Sequence, residues 1–219
     1  MKKIAICRSR PRRVTTLDGM ETLVLTALIF VGAYVLKTRE QGRRIALLGS
    51  QLGHFQIEKL MEKLTDGYLR CLGEDDPERR EQIWNMLAVD EETLAGQFNR
   101  FAANFARLDA AETRVSTLPI ALPFADTLFS SQTFDARAAF TVHARGIADV
   151  AANVRQQTPK RKAFMLSAEL FLMQHTCHWF CRSKAVASAR LLARHKTSYQ
   201  LALDSVSPAT REAYLALIR

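Results

Sequence analysis

The chain has 219 residues, of which 48% are apolar and 24% are charged, and it carries a formal net charge of +9. This composition suits one folded domain with a small appendage, and it excludes a disordered or a disulfide-stapled chain. Nine glycines and six prolines supply few of the turns that an all-β protein needs, so the sequence predicts an all-α fold.

One apolar segment near the N-terminus is the strongest signal in the sequence. The fifteen residues from Thr22 to Leu36 contain no charge and lie between Glu21 and Lys37. A helix of this length spans roughly 22 Å, which is short of the roughly 30 Å hydrocarbon core. Adding Met20, and basic side chains that reach outward at the other end, closes most of the gap. The sequence therefore predicts one transmembrane anchor at 20–37 that contacts the lipid bilayer.

Two other interpretations of this segment stay open. A buried helix of a soluble core has a similar length, although the segment shows no polar face. A cleavable signal peptide would also place basic residues before an apolar run, and Val31-Gly32-Ala33 has suitably small residues. Because the apolar run continues through Leu36 and basic residues follow at once, an uncleaved anchor fits better.

The orientation of the anchor depends on the basic residues that flank it. Residues 1–19 form a basic tail with six basic groups, and four more follow the anchor at Lys37, Arg39, Arg43 and Arg44. By the positive-inside rule, a chain that includes the full tail is expected to have its domain outside the cytoplasm. A chain that starts at Met20 is expected to have its domain in the cytoplasm. The tail has no apolar period and no clear cap, which fits an upstream extension of the reading frame or a disordered basic tail. We therefore expect a single-pass inner-membrane protein with a cytoplasmic domain.

Cysteine usage agrees with that placement. Three cysteines follow the anchor, at Cys71, Cys177 and Cys181, and an odd number without a framework fits a reducing compartment.

The remaining residues, 38–219, are predicted to form a soluble bundle of about five to seven helices. A helical stripe predicts that the anchor continues as a helix to Cys71, with a short dimerising coiled coil as an alternative; the stripe consists of Ile57, Met61, Leu64, Tyr68 and Cys71. Pro77 is expected to open the next helix, after a glycine and a capping aspartate. Acidic residues 90–92 then mark the N-terminus of another helix. Its aromatic stripe, which includes Phe98, Phe101 and Phe105, is expected to be core.

The second half of the chain contains one long connection and several helices. Pro119 and Pro123 predict a non-helical crossover at 113–133. A helix is expected from about 134 to 157, and an apolar segment at 163–181 is predicted to be the central helix of the bundle. Ser207-Pro208 is predicted to cap a last helix that reaches Arg219.

The central segment concentrates the reactive side chains. On a helix Cys177, His178 and Cys181 fall within an arc of about 100°, so these metal-ligand types share a face, with His175 nearby. A metal- or thiol-dependent enzyme or redox sensor using these four residues is therefore one alternative function. Zinc sites usually draw ligand pairs from two elements, however, and no second pair occurs. Buried thiols and hydrogen-bonded histidines are the favoured interpretation, with no cofactor.

The basic C-terminal half supports another alternative, the binding of nucleic acid or anionic lipid. Residues 113–219 hold 14 basic and six acidic groups, while 37–112 hold 11 and 14. A solvated helix surface explains the same surplus, and nucleic acid is disfavoured.

The sequence contains none of the common nucleotide-binding, hydrolase, zinc-protease or di-iron motifs. This favours a non-enzymatic role, a membrane-anchored helical interaction or scaffold protein. A protein partner, or a second copy of the chain, is expected to bind the bundle or the Pro119–Thr133 loop.

Overall fold

The computed structural model describes residues 16–219, with side chains from Gly19 onward. Over this range the chain forms ten α-helices and one antiparallel pair of short strands, which confirms the predicted all-α fold. Seven of the nine described helices after the first have seven residues or more, in agreement with a bundle of five to seven. The predicted basic tail at 1–19 lies almost entirely outside the described residues.

Most connections between the elements are short, and one crossover is longer. The bounds are α1 Thr16–Leu52, α2 Ile57–Leu72, α3 Pro77–Phe105, α4 Ala110–Thr113, β1 Arg114–Ser116, α5 Ala125–Leu128, β2 Thr133–Asp135, α6 Ala136–Ala151, α7 Pro159–Cys181, α8 Lys184–His195, α9 Tyr199–Ser205 and α10 Pro208–Leu217.

The helix α7 lies at the centre of the bundle, as predicted. It packs against α1, α2, α6, α8 and α9. Its buried side chains point in nearly every direction around the axis, and they include Leu166, Leu172, Trp179 and Phe180. A helix segment enclosed by neighbours has no polar face to present to water, which explains the mostly apolar sequence of α7 after its basic first turn.

The predicted aromatic stripe of α3 is part of the core. Phe98, Phe101 and Phe105 are fully buried. The ring of Phe140 on α6 meets Phe101 and Phe105 edge to face, with centroids 5.2 and 4.8 Å apart. This geometry places the positive edge of one ring on the negative face of another, and it fixes α3 against α6.

The predicted continuous helix from the anchor to Cys71 is wrong, because α1 ends at Leu52 and α2 begins at Ile57. In the turn between them the N–H of Gln56 donates to Oε1 of Gln97 on α3 at 2.7 Å. The turn reorients the apolar stripe of α2, which is buried against α3. Because that stripe is already covered, it is unavailable to a dimerising coiled coil.

The acidic residues at 90–92 do not begin a new helix, since α3 runs unbroken from Pro77 to Phe105. The helix starts where the sequence predicts, with the Asp76 side chain accepting the N–H of Glu78 at 3.0 Å. No glycine or proline interrupts 78–90. Inside the continuous helix Glu91 faces the core and is 3% exposed, so its carboxylate belongs to tertiary packing and not to a helix start.

The predicted non-helical crossover contains the strands β1 and β2 at its two ends, and, against the prediction, the one-turn helix α5 between them. Val115 of β1 pairs with Phe134 of β2, and both side chains are buried. The indole N–H of Trp179 on α7 donates to the carbonyl of Ser116 at 3.0 Å. The strand pair therefore brings the two ends of the crossover together, and the hydrogen bond from Trp179 joins β1 to the central helix α7. Its outer part, residues 117–132, is called the crossover loop below.

The last two predicted boundaries differ in accuracy. The helix α6 is shorter at both ends than predicted, because Asp135 caps its start and left-handed residues Asn153 and Gln156 follow its end. The helix α10 begins at Pro208 as predicted, where Oγ of Ser207 accepts a backbone N–H at 3.2 Å.

Candidate functional site

The apolar half of α1 is not covered by any other described part of the chain. Leu23, Phe30 and Tyr34 are 73%, 72% and 68% exposed. From Gly19 to Leu52 the helix is long and apolar enough to cross a membrane, and its most apolar 18-residue window has a mean hydropathy of 1.9 with 0% buried. A core helix of a soluble protein would be covered, so this alternative fits the observed packing poorly. One candidate span thus exists among the described residues.

The four basic residues predicted to flank the anchor occupy different environments. Arg39 and Arg43 are exposed and Lys37 is half-buried. Arg44 is drawn into the domain, where its side chain is only 11% exposed and pairs with Glu40 at 3.0 Å and with Asp126 at 3.2 Å. Its guanidinium also lies 5.7 Å from the ring centre of Phe180. Lys37, Arg39 and Arg43 thus keep contact with solvent, while Arg44 joins α1 to the domain.

The domain contacts α1 just after the apolar segment 22–36. The N–H of Phe124 in the crossover loop donates to Oε2 of Glu40 at 3.2 Å. Arg182, after α7, donates to Oε1 of the buried Gln41 at 2.6 Å. These contacts join residues that are 84 and 141 positions apart, and no sequence pattern links them.

Two concave surfaces are open to solvent. The first is a narrow cleft of about 30 Å³ between α1 and the crossover loop, with Lys37, Leu122 and Arg182 in its walls. The second is a groove of about 450 Å³ between the α2–α3 turn and the start of α7. Its lining combines apolar and charged residues: Cys71, Leu72, Pro77, Arg80, Glu81, Trp84, Thr158, Pro159 and Lys160.

His175, a predicted metal-ligand candidate, is a core residue. It is 1% exposed, its Nε2 lies 3.0 Å from Oγ of Ser188, and its ring stacks on Tyr199 at 4.4 Å. Burial, together with the positive charge of Lys184, lowers the pKa of His175 to about 3. The ring is therefore neutral at physiological pH and holds α7 against α8 and α9.

Two of the other three candidates, Cys177 and His178, contact other side chains. Sγ of Cys177 is 3.8 Å from the sulfur of Met173, and Nδ1 of His178 is 3.2 Å from a guanidinium nitrogen of Arg190. Burial raises the pKa of the Cys177 thiol far above its usual range and that of Cys181 to about 11. Both thiols are thus protonated, whereas thiolates are the nucleophilic and metal-binding form. Among the described residues no three His, Cys, Asp or Glu side chains form a group that could hold a metal.

A buried polar network joins α6, α7 and α10. Nε2 of His143 lies 2.8 Å from Oγ1 of Thr176, which lies 3.1 Å from the hydroxyl of Tyr214. Burial lowers the pKa of His143 to about 3. Nearby, the buried carboxyl of Glu169 accepts the N–H of Ser207 at 3.0 Å, and burial raises its pKa to about 7. Neither concave surface reaches these groups, so they serve as internal hydrogen bonds. In the sequence, this buried polar network is indicated only by Glu169, a single acidic residue in an apolar segment.

Comparison of the chain with protein-family models, curated proteins and solved structures found no match.

Proposed function

We propose that this protein is a membrane-tethered helical interaction or scaffold module, with α1 as a single-pass anchor in an inner membrane and the bundle on the cytoplasmic side. The observation that carries the proposal is the uncovered apolar half of α1. Large apolar side chains exposed along a whole helix are costly in water and are stabilised by lipid.

The contacts at the end of the span support a tether of defined geometry. Gln41 and Arg44 hold α1 to the bundle through side chains that are 8% and 11% exposed. Basic residues at Lys37, Arg39 and Arg43 follow the apolar segment, as expected on the cytoplasmic side. Because α1 is packed into the domain here, the bundle is held close to the bilayer and not on a free linker.

The groove beside the α2–α3 turn is the surface best suited to a protein partner. It is the larger of the two concave surfaces described above, and Trp84, an amphipathic side chain of the kind enriched at interfaces, lines it. No set of catalytic groups lies in it. A partner segment with both apolar and charged side chains would match its mixed lining.

Membrane attachment is tested by extracting membranes at alkaline pH, which removes peripheral proteins. We expect the chain to stay in the pellet and to require detergent for release. In a Leu28→Asp, Val31→Asp variant each charge costs about 3 kcal/mol near the bilayer centre, so the pelleted fraction should fall sharply. A matched control, Leu69→Asp with Met86→Asp, alters two equally exposed residues of the bundle. If both variants behave like the native chain, α1 is not an anchor.

The topology is tested by labelling an added surface thiol. Cys71 is fully buried, so an exposed position is needed, and Asp75→Cys in the α2–α3 turn provides one. A cytoplasmic bundle should react with an impermeant maleimide only after lysis, above the background of the native chain. Labelling in intact spheroplasts would place the bundle on the opposite side.

The interaction role is tested by photo-cross-linking in the native membrane. A photoreactive residue in place of Leu72, which lines the groove, should give a defined cross-linked product. The matched control is Leu192, which is 54% exposed on α8. The same products from both positions, or none from either, would count against a partner site in the groove.

A further inference from the structure

The crossover loop presents an apolar surface without exposed charge. Its single charged residue is Asp126, whose side chain is 17% exposed and is paired inward with Arg44. Five large apolar side chains in the loop are open to solvent, namely Ile120 (59%), Leu122 (40%), Phe124 (53%), Leu128 (70%) and Phe129 (44%). Several exposed apolar side chains in one loop are typical of a surface that binds a protein or a membrane.

The loop lies at the depth of the lipid headgroups if the span ends at Leu36. The N–H of Phe124 is bonded to Glu40, four residues or about 6 Å along the helix axis from Leu36. The polar region of a bilayer adds roughly 5–7 Å on each side of the hydrocarbon core. Ile120 and Leu122 line a cleft with Lys37, the first residue after the apolar segment. The loop therefore continues the surface on which α1 leaves the membrane.

The charges around the loop match an anionic lipid surface. Both nearby carboxylates, Glu40 and Asp126, are paired with Arg44, and together with Lys37 and Arg182 these five side chains sum to a charge of +1. Lys37 lines the cleft beside the loop, and Arg182 lies in the same wall and is exposed. Basic residues near an anionic membrane are attracted to its surface and strengthen binding.

We infer that the crossover loop is a second membrane contact, which inserts its exposed apolar side chains among the headgroups of the leaflet where the apolar segment of α1 ends. This inference rests on the proposed role of α1 as an anchor. Together with α1, the loop gives the bundle two attachments to one bilayer, so the bundle is fixed in tilt and rotation as well as in distance. The groove beside the α2–α3 turn then keeps a defined orientation toward partners in the cytoplasm.

The test measures the depth of single added tryptophans in the full chain, reconstituted in phosphatidylcholine and phosphatidylglycerol vesicles that contain bromine-labelled lipids. Leu128→Trp probes the loop and Phe30→Trp probes the span. Met86→Trp on α3 is the matched control, since Met86 and Leu128 are 65% and 70% exposed. Trp84 and Trp179 give the same background in all three variants.

We expect shallow bromines to quench Leu128→Trp several-fold more than Met86→Trp, and deep bromines to quench Phe30→Trp. Quenching of Leu128→Trp should weaken when phosphatidylglycerol is omitted. If Phe30→Trp is quenched and Leu128→Trp matches Met86→Trp, the anchor stands and the loop contact is overturned. That result would leave a protein or a second copy as the occupant of the loop surface. If Phe30→Trp is also unquenched, the anchor itself fails.

Discussion

The buried carboxylate of Glu91 joins three helices, and its removal gives a sharp test of the packing. Oε1 accepts the hydroxyl of Tyr68 on α2 at 2.6 Å, and the other oxygen forms an ion pair with Lys162 on α7. The side chains of Glu91 and Lys162 are only 4% and 15% exposed. Glu91→Ala would leave an ammonium and a phenol buried without their partner.

The expected loss of stability follows from these contacts. A hydrogen bond to a charged group is worth roughly 1.5–3 kcal/mol, and breaking a buried ion pair from one side costs about 3–5 kcal/mol. Because Lys162 retains some contact with water, we expect about 3 kcal/mol for Glu91→Ala. In a domain of this size that lowers Tm by about 9 °C. The assay is thermal and chemical unfolding of the full chain in detergent, followed by circular dichroism.

Two further variants separate the ion pair from general damage to α3. Glu92→Ala removes an exposed carboxylate one position along and should change stability by less than about 0.5 kcal/mol. Glu91→Gln with Lys162→Met keeps an acceptor for Tyr68 and removes both charges. The double variant should therefore lose less stability than the sum of the losses in the two single variants. If Glu91→Ala unfolds at the same temperature as Glu92→Ala, the carboxylate does not hold the helices together.

Three other predictions follow from the structure. A Cβ on Gly146 would lie 2.6 Å from a Glu169 oxygen, so Gly146→Ala should cost about 1–3 kcal/mol in chemical unfolding. A Cβ on Gly96 would meet the end of the Arg100 side chain at an ordinary contact distance of 3.9 Å, so Gly96→Ala should be neutral or stabilising. Burial raises the pKa of Glu169 to about 7 from 4.5, so its contribution to stability is fully present below pH 4.5 and is lost as pH rises through 7. Unfolding at pH 5 and 8 should therefore show a drop of about 3 kcal/mol that is absent in Glu169→Gln, and equal drops in both proteins would contradict this origin. Arg44→Ala leaves two carboxylates unpaired and should release the crossover loop, seen as faster proteolysis there, while Arg43→Ala, an exposed control, should leave the rate unchanged.

Much of the helical architecture could be predicted because it depends on local patterns. The cap at Asp76 and the proline after it define the start of α3, and Ser207 defines the start of α10 in the same way. The apolar circumference of α7 indicated a central helix. Such signals depend on neighbours within about four residues, so they can be recognised without knowledge of the fold.

The same local signals were misleading where tertiary contacts take over. The acid at Glu91 resembles part of a helix start in sequence, yet its partners Tyr68 and Lys162 come from two other helices. The turn after Leu52 depends on a side chain of α3, Gln97, that accepts a backbone N–H. Neither partner is adjacent in sequence, and no pattern within a few residues indicates them.

The sequence by itself determined that the chain is helical and that one apolar segment, 22–36, lacks a polar face, because composition and period are properties of the chain. The tertiary structure alone decided that this segment stays uncovered by the described chain and that Arg44 turns into the domain to pair with Asp126. It also decided that the crossover loop lies beside the part of α1 that follows the apolar segment. These features depend on side chains that meet only after the bundle has packed, and packing brings together residues about 80 and 140 positions apart.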